Sequence, residues 1–250
     1  MSFCEVHWSS KVLGRAVSTY VLLPDTGMPP YPVYYLLHGL SDDHTIWHRR
    51  TRIEWYVRER PMIVVMPDGG RGFYTRHASG PDCAAHVAEE LPAFIERNFP
   101  ADARREARCI GGLSMGGYGA MRLALGYPDR YVSANSHSGA LMVGSRPPAD
   151  GVVPVEERKK IFGDDPRGTD HDLAALAERC AKAGILPRLR LDCGTEDFLL
   201  ENNRTFHETL NRLNVPHEYQ EFPGAHNWDY WDLHVREALA FHCREMGIGK

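Results

Sequence analysis

The sequence lacks the features that mark several classes of protein. No apolar run approaches the roughly 20 residues of a membrane-spanning helix. Residues 1–7 carry neither a basic stretch nor an apolar one, so no signal peptide is read there. Positive charge is not in excess. The 29 Lys and Arg against 33 Asp and Glu leave a net charge of -4, which gives no footprint for nucleic acid and no polybasic membrane patch. The six cysteines (Cys4, Cys83, Cys109, Cys180, Cys193 and Cys243) are scattered and form no C-x-x-C pair. They read as reduced, mostly buried thiols of a cytoplasmic protein, with no support for a thiolate zinc site. No H-E-x-x-H motif occurs, so neither a metal nor a cofactor is expected. Internal repeats and low-complexity tracts are missing as well.

What is present fits one α/β domain over residues 1–250. Hydrophobic residues make up 43% and charged residues 25%, which is enough apolar material for one sizeable core. Strand signals fall at residues 3–8, 15–23, 33–37, 61–67, 107–111, 131–136, 188–193 and 217–222. Helix signals fall at residues 47–58, 86–99, 118–125, 172–183, 199–213 and 228–245. Strands alternating with helices at short spacing predict a mostly parallel central sheet covered on both faces. Residues 138–170 interrupt this rhythm with Pro147, Pro148, Pro154 and Pro166 and one short helical piece at 155–162. They are expected to form a cap-like insertion over the strand ends.

The most informative stretch is Gly112-Leu113-Ser114-Met115-Gly116-Gly117. It lies between a strand and a helix, the context of a G-x-S-x-G turn that lifts a serine hydroxyl above a sheet. Such a hydroxyl needs a base, and the base needs a carboxylate to fix its tautomer. In this kind of sheet the chain order should be serine, acid, histidine, each in a loop at a strand's C-terminal end. Residues 194–198 and 223–228 are the two loops that fit. They give Asp197 as the acid and His226 as the base. Glu196 and Asp192 are rivals for the acid, but one is a residue early and the other lies inside its strand. His207, His217, His234 and His242 fall within predicted helices or a strand, and His137 precedes any candidate acid. Backbone donors for an oxyanion are expected from Met115, just after the serine, and from Leu40 in the turn His38-Gly39-Leu40.

These motifs, together with residues 35–40, 63–67, 88–92, 112–120, 162–163, 194–199 and 226–228, run across nearly the whole chain. They resemble the esterase D / tributyrin-esterase-like branch of the α/β-hydrolases, which also holds S-formylglutathione hydrolases and acetyl and feruloyl esterases. The resemblance implies an α/β-hydrolase fold and a Ser114–Asp197–His226 triad acting on small-molecule esters or thioesters without a cofactor. It also implies a preference for short acyl groups and, as in many members, a homo-oligomer. Residues 71–82 and 138–170 match the branch least and should form the pocket walls. Trp47, Tyr74, His77, His137 and Trp228 are the candidates for lining the pocket.

Overall fold

The computed structural model describes residues 1–145 and 153–248. At its centre is an eight-stranded sheet, in the order β1-β2-β4-β3-β5-β6-β7-β8. The strands are β1 (Ser2–Ser10), β2 (Arg15–Leu23), β3 (Val33–Leu37), β4 (Ile63–Pro67), β5 (Arg108–Leu113), β6 (Ser133–His137), β7 (Arg188–Gly194) and β8 (His217–Phe222). β1 and β2 form an antiparallel pair, and β2 runs antiparallel to β4. All remaining neighbours are parallel.

Central strands buried on both faces need apolar residues at every position rather than at alternate ones. β3 and β4 meet this need, since each of their residues is buried. The alternation of β3 splits the core in two. Val33, Tyr35 and Leu37 point to one face, where they meet helices α4 (Leu91–Asn98), α5 (Met115–Gly126), α7 (Leu173–Ala183) and α8 (Leu200–Arg212). Tyr34 and Leu36 point to the other, beneath α1 (Ile46–Arg50), α2 (Ile53–Val57) and α9 (Trp228–Met246). The short helices α3 (Cys83–Ala85) and α6 (Val155–Phe162) complete the set described.

Two expected helices are broken, each for a local reason. The helix expected at 47–58 divides at Thr51, which is extended (φ −131°, ψ 170°). Its hydroxyl donates to the Trp47 carbonyl and accepts the Ile53 N–H, so it competes with the helical ladder. Asp232 takes the Arg52 N–H at 2.7 Å and starts the second piece. The helix expected at 86–99 passes through a π-helical turn at His86–Glu90 before α4. Pro92 has no N–H to give to the preceding turn. The Ala88 carbonyl accepts instead from Arg130 Nη1 at 3.2 Å.

In the parallel half of the sheet Leu37 lies opposite Gly112, Leu113 opposite His137, and Gly194 opposite Phe222. The C-terminal ends of β3, β5, β6, β7 and β8 therefore open onto one edge. Among the described residues, no helix is long and apolar enough to cross a membrane.

Candidate active site

The site starts at the turn from β5 into α5. Ser114 sits there with φ 53° and ψ −116°, a conformation that costs a non-glycine residue about 1–3 kcal/mol. Its surroundings hold it in place. The Ser114 N–H donates to the His137 carbonyl (2.9 Å), and its own carbonyl accepts from the N–H groups of Tyr118 and Ala140 (3.1 Å each). The glycines around it allow the helix to approach closely. A Cβ on Gly116 would stand 2.5 Å from the Leu37 carbonyl oxygen and 2.6 Å from that of His38. One on Gly112 would stand 2.6 Å from the same Leu37 oxygen. The N-terminus of α5 is thereby pressed against the turn that follows β3.

The acid and base loops are tied together at the ends of β7 and β8. Thr195 N–H donates to the Phe222 carbonyl (2.8 Å) and Glu196 N–H to that of Gly224 (2.9 Å). Asp197 is buried; one carboxylate oxygen accepts the Leu199 N–H at 2.8 Å and the other faces His226 Nδ1 at 2.8 Å. His226 Nε2 lies 3.0 Å from Ser114 Oγ. With Nδ1–H donating to the carboxylate, Nε2 is the acceptor for the serine proton. Phe198 flanks the imidazole at 4.5 Å between ring centres, and Trp231 meets it edge-on at 4.9 Å. These contacts limit its rotation.

The turn after β3 is fixed by His38. Gly69 N–H donates to His38 Nε2 (2.9 Å), so Nδ1 carries the proton and donates to the Gly39 carbonyl (2.8 Å). Tyr74 Oη donates to the His38 carbonyl at 3.0 Å. Among the described residues, neither the Leu40 N–H nor the Met115 N–H donates to a backbone carbonyl. Both remain available beside Ser114.

A cavity of about 620 Å³ opens over these groups. Leu40, Phe73, Leu113, Met115, Ala140, Val143, Val153, Phe198, Leu199, Trp228 and Trp231 give it an apolar wall; Asp42, Asn202 and Asn227 are its polar points besides Ser114 and His226. Of the candidates for lining it, Trp228 is on the cavity wall. Four other expected lining residues are not. Trp47 is buried behind Trp228, with its indole N–H on the Leu37 carbonyl at 3.0 Å. Tyr74 is sealed beneath the His38 turn, and burial pushes its phenol well above the usual range. His137 ends β6 inside the sheet, with Nδ1 2.9 Å from both oxygens of the buried Asp192, which also accepts from Tyr230 Oη at 3.1 Å. Asp192, the rival acid, thus partners His137 rather than His226. His77 faces a separate cleft beside Cys83, where burial lowers its pKa. Of the expected insertion at 138–170, Ala140, Val143 and Val153 reach the wall, while residues 146–152 lie outside the described residues. Phe73, Phe198, Asn202 and Trp231 had no distinguishing signal in sequence; each sits in an irregular turn or on a helix where its type alone does not reveal its direction.

A mostly parallel eight-stranded sheet, helices on both faces and a serine on the turn between a central strand and its helix define an α/β-hydrolase. Residues 10–242 match the esterase family ("Putative esterase"), and the chain belongs to that family. It is 28% identical over 258 residues to the acetyl esterase of Caldicellulosiruptor saccharolyticus, covering 96% of this chain and 97% of that protein. Among solved structures it is similar to FphF, a fluorophosphonate-binding serine hydrolase of Staphylococcus aureus (TM-score 0.88, 29% identity, 96% and 98% coverage). It is also similar to the S-formylglutathione hydrolase FrmB of the same organism (TM-score 0.85, 28% identity, 96% and 98% coverage). The protein is an enzyme of the carboxylesterase class.

Proposed function

We propose that the protein hydrolyses short-acyl esters, acetyl to butyryl, through an acyl-serine intermediate. The observation that carries this reading is the hydrogen-bonded series from Ser114 to His226 to Asp197 at the floor of an apolar cavity. His226 Nε2 takes the Ser114 proton as Oγ attacks the ester carbonyl, and Asp197 stabilises the imidazolium that results. The carbonyl oxygen, now an anion, is received by the N–H groups of Leu40 and Met115. His226 then gives its proton to the departing alkoxide. Water, deprotonated by the same imidazole, releases the acid and restores Ser114. The acetyl esterase named above supports the choice of acyl length. Six cysteines without a disulfide support a reducing, cytoplasmic setting.

Replacing Ser114 with Ala should abolish p-nitrophenyl acetate hydrolysis with the melting temperature kept within a few degrees. Near-full activity in that variant would overturn the assignment. A second reading keeps the same three residues and exchanges the ester for a thioester, as the S-formylglutathione hydrolase of Staphylococcus aureus suggests. Comparing turnover of S-formylglutathione with that of acetyl and butyryl esters separates the two. An inert hydrolase fold used only for binding is the third, and failure of a fluorophosphonate probe to label Ser114 would favour it.

A further inference from the structure

Asp42 is the one carboxylate among the described residues lining the cavity over Ser114. Its neighbour Asp43 has a structural task, accepting from both the N–H and the hydroxyl of Thr45 (2.9 and 2.6 Å). Among the described residues Asp42 makes no hydrogen bond or ion pair with another side chain, and only the Gly39 peptide bonds to its carboxylate. Its backbone N–H is tied to the Gly39 carbonyl at 3.3 Å, which fixes where the side chain starts. Burial pushes its pKa up, with Asp43 adding to the effect, while His38, Arg50 and a hydrogen bond from the Gly39 peptide work against it. Among the described residues the cavity wall holds neither Lys nor Arg.

This carboxylate is close to the chemistry. A Cβ placed on Gly39 would lie 3.3 Å from Asp42 Oδ2 and 3.7 Å from Ser114 Cβ, so those two atoms are no more than about 7 Å apart. Among the described residues this charge has no Lys or Arg beside it in the cavity wall, and a negative charge this near Ser114 opposes an anion that develops there. It also opposes any anionic group carried by the substrate, while favouring a cationic one. Other residues lining the cavity suit the same ligand. Trp228 and Trp231, with ring centres 5.1 Å apart, and the exposed Phe198 offer the aromatic faces that attract an ammonium group.

We propose that Asp42 is a specificity-determining residue that selects esters bearing a cationic, ammonium-type group and rejects anionic ones. This rests on the esterase reading given above. For an ammonium group held roughly 7 Å from the carboxylate, with an effective dielectric between that of a protein surface and that of water, the discrimination should be on the order of tenfold in kcat/KM. The test uses a matched pair, acetylcholine and its uncharged isostere 3,3-dimethylbutyl acetate, on the full-length wild type and on Asp42→Asn. The ratio of the two kcat/KM values is read within each protein, so a general change in activity cancels. Where turnover of either is too slow to follow, the ratio of their inhibition constants against p-nitrophenyl acetate is read in its place. The expected ratio is about ten in favour of the cation for the wild type and one to two for Asp42→Asn, with Asp42→Glu restoring a preference. A wild-type ratio at or below one, including failure of the choline ester to compete better than its isostere, overturns the proposal. So does a ratio that Asp42→Asn leaves unmoved. Loss of p-nitrophenyl acetate hydrolysis by the wild type itself would instead overturn the esterase reading.

Discussion

Acidification should loosen one particular joint of this molecule, at His171. That residue lies just before α7 and packs the chain after α6 onto the body of the protein. Its Nδ1 meets Thr75 Oγ1 at 2.9 Å, its ring meets Phe162 edge-on at 5.4 Å, and its carbonyl accepts from Tyr118 Oη at 2.8 Å. Burial, helped by the nearby Arg122 and opposed by Asp170, pushes the imidazole down to about 4 from an ordinary 6.5. The folded state therefore holds His171 neutral over a range in which the unfolded chain protonates it. A depressed folded pKa means that its contribution is complete above about pH 6.5 and is lost as the pH falls towards about 4. At 1.36 kcal/mol per unit the ceiling is about 3 kcal/mol, and partial exposure of the ring reduces this to roughly 1–1.5 kcal/mol at pH 4.5. For a chain of this size that is about 3–5 °C in melting temperature. Melts of wild type and His171→Gln at pH 7 and pH 4.5 measure it, because the other titrating groups cancel between the two proteins. Wild type should lose 3–5 °C more than the variant on acidification. Parallel losses would refute the reasoning, and a larger loss in the variant would reverse its sign.

Two further outcomes follow from the site. Gly116→Ala places a methyl group 2.5 Å from a backbone oxygen that has no flexible end to move aside, so α5 and the His38 turn must separate. About 2 kcal/mol of stability should be lost, read by urea unfolding, and kcat should fall at least tenfold as the Leu40 N–H leaves its position. Asp197→Asn keeps the shape of the side chain but removes the charge that orients His226. Its kcat for p-nitrophenyl acetate should drop by about 10³–10⁴ with KM little changed, whereas a loss under tenfold would remove Asp197 from the proposed role.

Sequence carried the frame of this molecule further than its walls. The buried strands β3 and β4 were legible because short continuous apolar runs are best satisfied by burial on both faces. Ser114, Asp197 and His226 were legible because chain order and strand ends constrain where such groups can meet, and the structure brings the three within hydrogen-bond distance. The cavity lining followed no comparable rule. Trp47 and Trp228 are both tryptophans near a strand end, yet one is held inward by a bond to the Leu37 carbonyl and the other faces the cavity. His137 follows the same logic, since nothing in its local sequence reveals that Asp192 lies beside it on the next strand. The breaks at Thr51 and Pro92 rest on a local hydroxyl and a missing N–H, with Asp232 and Arg130, distant along the chain, taking up backbone groups nearby, and hydrophobic periodicity registers none of these.

The order of these parts along the chain has a consequence for synthesis. Ser114 and its strained turn leave the ribosome more than 100 residues ahead of His226, and α9, which covers the second core, comes after that. Until α9 docks, Tyr34, Leu36 and Val64 have only the short helices α1 and α2 over that face, and Trp231 is not yet in place against His226. A growing chain therefore carries its serine without the base that would activate it. Under the proposed mechanism reactivity would be completed only when the last part of the chain is in place, so an incompletely folded molecule would expose a sticky surface but not an aggressive nucleophile.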